Sequence, residues 1–141
     1  MITIESECAR SAQLSGLEQL HLIPGILGEA IIPTGAERVD TAIYRYPTDA
    51  SSAHLGEAET CAIILNRSLA ARFVSDDLGA IRLAQSLGIE TFTTADLLRL
   101  AVRVGFVTSA EGWRMLAELF SAHRVVPFAP HTQDEFTAWC V

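Results

Sequence analysis

The stretch Leu55–Gly88, LGEAETCAIILNRSLAARFVSDDLGAIRLAQSLG, decides how this chain is read. Ala58, Ala62, Leu65 and Leu69 recur at three- and four-residue spacing, which predicts a helix over Leu55 to Leu69. Between Arg72 and Ser75 the apolar pair Phe73-Val74 predicts a short buried strand, and it stops on two adjacent carboxylates, Asp76 and Asp77. Ile81, Leu83, Ala84 and Leu87 then mark a second amphipathic helix over Leu78 to Leu87, with Gly88 as its terminator. The order is helix, strand, acidic pair, helix. In open α/β sheets ligands sit just beyond the carboxyl ends of the strands, so Asp76 and Asp77 mark the expected site.

Working outward toward the amino end, Ile2-Thr3-Ile4 reads as a first strand, followed at once by Glu5 and Glu7. Ala9 to Leu22 reads as a helix softened at Ser15-Gly16. Gly28 to Pro33 reads as a short strand closed by its proline. A further helix opens between Pro33 and Asp40 and carries Glu37, and Tyr44 to Ala53 is rich in turn formers. Toward the carboxyl end, Ile89 to Phe92 reads as a strand and Thr93 to Val104 as a helix ended by Gly105. Thr93 and Asp96 stand at capping-box spacing. Ser109 is the expected cap of a helix bearing Trp113, Leu116, Ala117 and Phe120 on one face. Val125 to Phe128 reads as a last strand, and the tail as a weak helix. Strands alternating with helices predict one α/β domain over residues 1–141, a three-layer α/β/α sandwich around a mostly parallel sheet.

At 141 residues, half of them hydrophobic and 19% charged, the chain has the makings of a globular core. No apolar run approaches the roughly 20 residues of a membrane span, and no basic-then-apolar start resembles a signal peptide. Cys8, Cys61 and Cys140 are odd in number, far apart and without metal-ligand spacing. The expectation is a reduced, cytoplasmic protein. The net charge of −7, with ten arginines and no lysine, excludes a surface that coats nucleic acid broadly. A nuclease remains compatible with it, because a site that holds a divalent cation must itself be acidic. No glycine-rich loop follows a predicted strand, which argues against a nucleotide-binding doubly wound domain.

The run GEAETCAIILN, then FVSDDLGAIRLAQSLGI, then LLRLAVRVGFVTSAEGWRMLAEL resembles the second half of a PIN domain. It is most similar to the toxin-like branch of that family, over about Leu55 to Val126. The resemblance implies a nuclease that gathers three or four carboxylates around Mg²⁺ or Mn²⁺. Carried over, the first acid is Glu5, where the family prefers Asp, with Glu7 as the alternative. The second is Glu37, the third Glu57 and the fourth Asp77, with Asp76 as its neighbour. It further implies an endoribonuclease with RNA as substrate, a homodimer, and the toxin's place in a toxin–antitoxin pair with an antitoxin protein as partner.

The donor set suits the ion. Mg²⁺ prefers oxygen and is held by a few carboxylates together with substrate phosphate. Each acid also has an ordinary explanation: Glu57 as a first-turn glutamate, Asp76 and Asp77 as a helix cap, Glu5 and Glu37 as surface charge. Arg67, Arg72 and Arg82 either grip phosphate or line a solvated face. The alternative function is a PIN-like module that binds RNA or protein without cutting. The hairpin from Thr94 to Phe120 carries more Leu, Val, Phe and Trp than one small sheet consumes, which agrees with the expected homodimer.

Overall fold

Thr34, Thr93, Thr108 and Thr132 each open a helix by the same reciprocal device. The threonine hydroxyl accepts from the backbone N–H three residues on, and the acid at that position accepts from the threonine N–H, so two orphan donors are satisfied at once. Four helices thus begin where Thr-x-x-Glu or Thr-x-x-Asp is written in the chain. The computed structural model describes residues 2–13, 18–45 and 54–141. The chain divides into two compact units, Met1–Ala71 and Arg72–Val141.

The first unit is helical. Helix α1 spans Ile2–Ser11, a 3-10 turn Glu18–Leu22, α2 Ile23–Leu27, α3 Gly35–Tyr44 and α4 Leu55–Asn66. α4 packs on α3 and touches α1. Gly56, Ala58, Cys61, Ala62, Ile63 and Ile64 are all buried, so α4 is enclosed on most sides, as its apolar composition requires. The helix stops short of Leu69, because Ser68 takes a left-handed turn at φ 49°.

In the second unit, β1 (Phe73–Val74) and β2 (Thr91–Phe92) pair in parallel, Phe73 opposite Thr91 and Val74 opposite Phe92. Helix α5, Leu78–Ser86, supplies the crossover that a parallel pair needs. Three helices follow: α6 Thr94–Arg103, α7 Ser109–Ser121 and α8 Gln133–Cys140. Their core gathers Ala95, Leu116, Val126, Ala129, Phe136 and Cys140, with Trp113 and Phe120 packed against it. Leu116 and Phe136 have no exposed surface, and each such burial contributes ~1.5–3 kcal/mol.

The three-layer sandwich is not what this chain adopts. The structure is mostly helical, and its sheet has two strands. Ile2-Thr3-Ile4 lies inside α1, because a three-residue apolar run does not distinguish strand from helix. Residues 28–33 form no strand pairing among the described residues, and Ile32 is 65% exposed. Val125 and Val126 are irregular and Pro127-Phe128 is a turn, with Phe128 at φ 60°, and Pro127 cannot donate to a ladder. The cap of α7 is Thr108 rather than Ser109. The tail forms the firm helix α8, whose Phe136 and Cys140 face the core one turn apart. The softening at Ser15-Gly16 and most of the loop from Tyr44 to Ala53 lie outside the described residues.

Candidate functional site at the end of the parallel pair

Within the second unit the two acids predicted at a strand end stand at one. β1 is tied to β2 by Phe73 N–H donating to the Glu90 carbonyl at 2.8 Å and Ser75 N–H donating to that of Phe92 at 3.0 Å. The next two residues are Asp76 and Asp77, directly beyond the carboxyl end of the pair. Their carboxylates do different things. Asp77 caps α5, its Oδ1 accepting from Ala80 N–H at 2.8 Å, while its own N–H donates to Ser75 Oγ at 3.1 Å. Asp76 reaches to the start of α6, where Oδ1 accepts from Thr94 N–H at 2.8 Å and Oδ2 from the Thr94 hydroxyl at 2.6 Å. Oδ2 of Asp77 accepts no hydrogen bond among the described residues, and the side chain is exposed. Of the two, Asp77 keeps one oxygen with no protein hydrogen bond among the described residues, whereas each oxygen of Asp76 already accepts one.

In the first unit Glu37 is only 1% exposed and fully engaged. Arg67 Nε donates to Oε1 at 2.6 Å and Nη2 to Oε2 at 3.0 Å, and Thr34 N–H donates to Oε2 at 2.6 Å. The Arg67 and Thr34 hydrogen bonds outweigh burial and hold the carboxyl at a pKa of about 2. Arg67 also donates to the Ile32 carbonyl at 3.0 Å, and neighbouring Asn66 donates to Asp40 at 2.6 Å. Glu57 lies half-buried in the first turn of α4, and no hydrogen bond or ion pair engages its carboxylate among the described residues. The side chains of Glu5 and Glu7 lie outside the described residues.

A divalent cation therefore meets uneven prospects. Asp77 and Glu57, each in its own unit, have carboxylate oxygens available, and such hard donors fit Mg²⁺ or Mn²⁺. Glu37 does not fit, because a guanidinium already neutralises it. Among the described residues no group of three or more His, Cys, Asp or Glu is placed to hold a metal ion.

The arginines are partly spent as well. Arg67 serves Glu37, and Arg72 pairs with Glu90 at 2.8 Å while lying 5.3 Å over the Phe92 ring. Trp113 packs tilted against Phe136, with ring centroids 6.3 Å apart, a core contact rather than a platform for bases. Sequence reasoning missed Thr94, whose partner Asp76 is remote along the chain and carries no local signature. Among the described residues no helix is long and apolar enough to cross a membrane. No protein-family model, curated protein or solved structure matches the chain.

Proposed function

We propose that this chain is a Mg²⁺- or Mn²⁺-dependent endoribonuclease, with the toxin's place in a toxin–antitoxin pair. The observation that supports it most is the exposed Asp77 carboxylate just past the parallel β1–β2 pair, with one oxygen free of protein partners. Asp77, the fourth acid that the PIN resemblance nominates, is the metal ligand in this reading, and Glu57, the third, is the other candidate whose carboxylate is uncommitted among the described residues. A bound divalent ion makes its water easier to deprotonate and steadies the attacking and leaving oxygens of phosphodiester hydrolysis. The protein's part is to present carboxylate oxygens and hold them still.

A second reading has its own support. Glu37, which the resemblance nominates as a ligand, is committed to Arg67, and a chain with fewer ligands suits an RNA- or protein-binding module without catalysis. Titration of the purified protein with Mn²⁺, paired with cleavage of a mixed-sequence RNA, separates the two. The nuclease reading expects saturable Mn²⁺ binding and metal-dependent cleavage, both lost in Asp77→Asn. RNA binding without metal binding or cleavage establishes the second reading instead.

A further inference from the structure

We infer that Thr94 is a positioning residue for Asp77, acting through Asp76; this rests on the metal-dependent reading proposed above. Thr94 stands eighteen residues beyond Asp76, on the other strand's exit, yet both of its donors serve that one carboxylate. Its N–H belongs to the first turn of α6, where helix donors lack intrahelical partners and the dipole favours negative charge. The cap itself is already made by Thr93 with Asp96. Asp76 is thus recruited across space, over and above what α6 needs to begin.

The consequence falls on the next residue. Asp77 shares a peptide with Asp76, its N–H is held by Ser75 Oγ, and its Oδ1 is held by Ala80 N–H. Gly79 leaves room for that Oδ1, since a Cβ added there would come within 3.0 Å of it. With the segment anchored at Ser75 by β2 and at Asp76 by Thr94, Oδ2 of Asp77 keeps one direction. Partners hydrogen-bonded directly to a ligand commonly set metal affinity by roughly ten- to hundredfold, and Thr94, acting one residue further out through Asp76, is expected at the lower end of that range.

Thr94→Val keeps the shape and the N–H but removes the hydroxyl donor. Mn²⁺ affinity, measured by calorimetry well below the unfolding temperature, is expected to fall roughly tenfold or more, with Thr94→Ser restoring it. Thr108→Val, which strips the equivalent hydroxyl from the α7 cap, should lower thermal stability and leave Mn²⁺ affinity at the parent level. Should Thr94→Val fail to fold, Asp76→Asn, of the same size with one acceptor oxygen, is expected to show the same weakening. Parent-level affinity in Thr94→Val or Asp76→Asn overturns the positioning role alone, as does equal weakening by Thr108→Val. A parent protein that binds no Mn²⁺ removes the metal-dependent reading itself, and the positioning role with it.

Discussion

Arg67 and Glu37 form a two-pronged ion pair that joins the end of α4 to the start of α3, with contacts of 2.6 and 3.0 Å. The same glutamate completes the Thr34 capping box, and the same arginine holds the Ile32 carbonyl. One pair therefore fixes the entry to α3, the segment before it and the exit from α4.

Glu37→Gln or Arg67→Met should lower the melting temperature at pH 7. Glu37 has its folded pKa at about 2 against an ordinary 4.5, so between those values the unfolded chain binds more protons. The pair's stabilisation is complete above pH 4.5 and fades as the pH falls toward 2. Thermal unfolding followed by circular dichroism should show the gap between parent and Glu37→Gln closing over that window. A constant gap from pH 7 to pH 2 would mean that the stability does not come from the ionised carboxylate.

Gly112→Ala should destabilise the protein, against the usual trend for a helix interior. Alanine ordinarily gains about 1 kcal/mol over glycine there. Here an added Cβ would meet Val102 at 3.0 Å and the Phe136 ring at 3.1 Å, and Phe136 is wholly buried with no room to retreat. Overpacking of this kind costs ~1–3 kcal/mol. A urea midpoint equal to or above the parent's would show that the ring yields.

Asp77 carries two roles that substitution can separate. Asn remains a good helix cap, so Asp77→Asn should leave folding stability nearly unchanged, whereas Asp77→Ala should cost ~0.5–2 kcal/mol. Under the proposed function both variants lose Mn²⁺ binding and RNA cleavage. Cleavage at the parent rate by Asp77→Asn would leave the residue as a cap and nothing more. Glu57→Gln, at a carboxylate that caps nothing among the described residues, tests by the same measurements whether Glu57 is a ligand at all.

The thiols should differ sharply in reactivity. Burial, and then the charge of Glu57, push the Cys61 thiol up to about 11. Burial also raises Cys140, against the opposing influence of Arg99 and Arg103. Cys8 is only half-buried. A disulfide reagent at pH 8 should modify Cys8 quickly and the other two only as the protein unfolds, and Cys8→Ser should abolish the fast phase. Two or three fast thiols would contradict the burial of Cys61 and Cys140.

We propose a homodimer, using the outer face of α6. Leu97 and Leu100 follow one another along that helix exposed, Val104 at its C-cap is exposed as well, and Phe106 beyond it is 86% exposed. Light scattering should give twice the chain mass at micromolar concentration, and Leu100→Glu should halve it without lowering helicity. A parent protein that stays monomeric at high micromolar concentration rules the dimer out.

The start of α6 and the strand-to-acid junction were legible residue by residue, because their causes lie within four residues of one another, whereas the start of α1 and the cap of α7 were not. Thr93 with Asp96, and Gly88 and Gly105 as terminators, appear in the fold as read; Phe73-Val74 is a strand running into Asp76-Asp77, but only Phe73 is buried and Val74 is exposed. Thr132 with Glu135 writes the same capping signal for α8 in a tail whose apolar residues are sparse. The sheet was not legible, because a strand exists only where a second strand accepts its bonds. Ile2-Thr3-Ile4 and Gly28 to Pro33 have the local preference without the partner, and the first of them is helix.

The acids divide along the same line. By itself the chain determined that Asp76 and Asp77 would follow a short strand and precede a helix. Tertiary structure decided which carboxylate is free: Thr94 takes both oxygens of Asp76, and Arg67 takes both of Glu37, from eighteen and thirty residues away. Spacing within a turn is written in neighbouring residues. Which distant donor reaches a buried or half-buried carboxylate depends on how the helices pack, and that is settled only when the core forms.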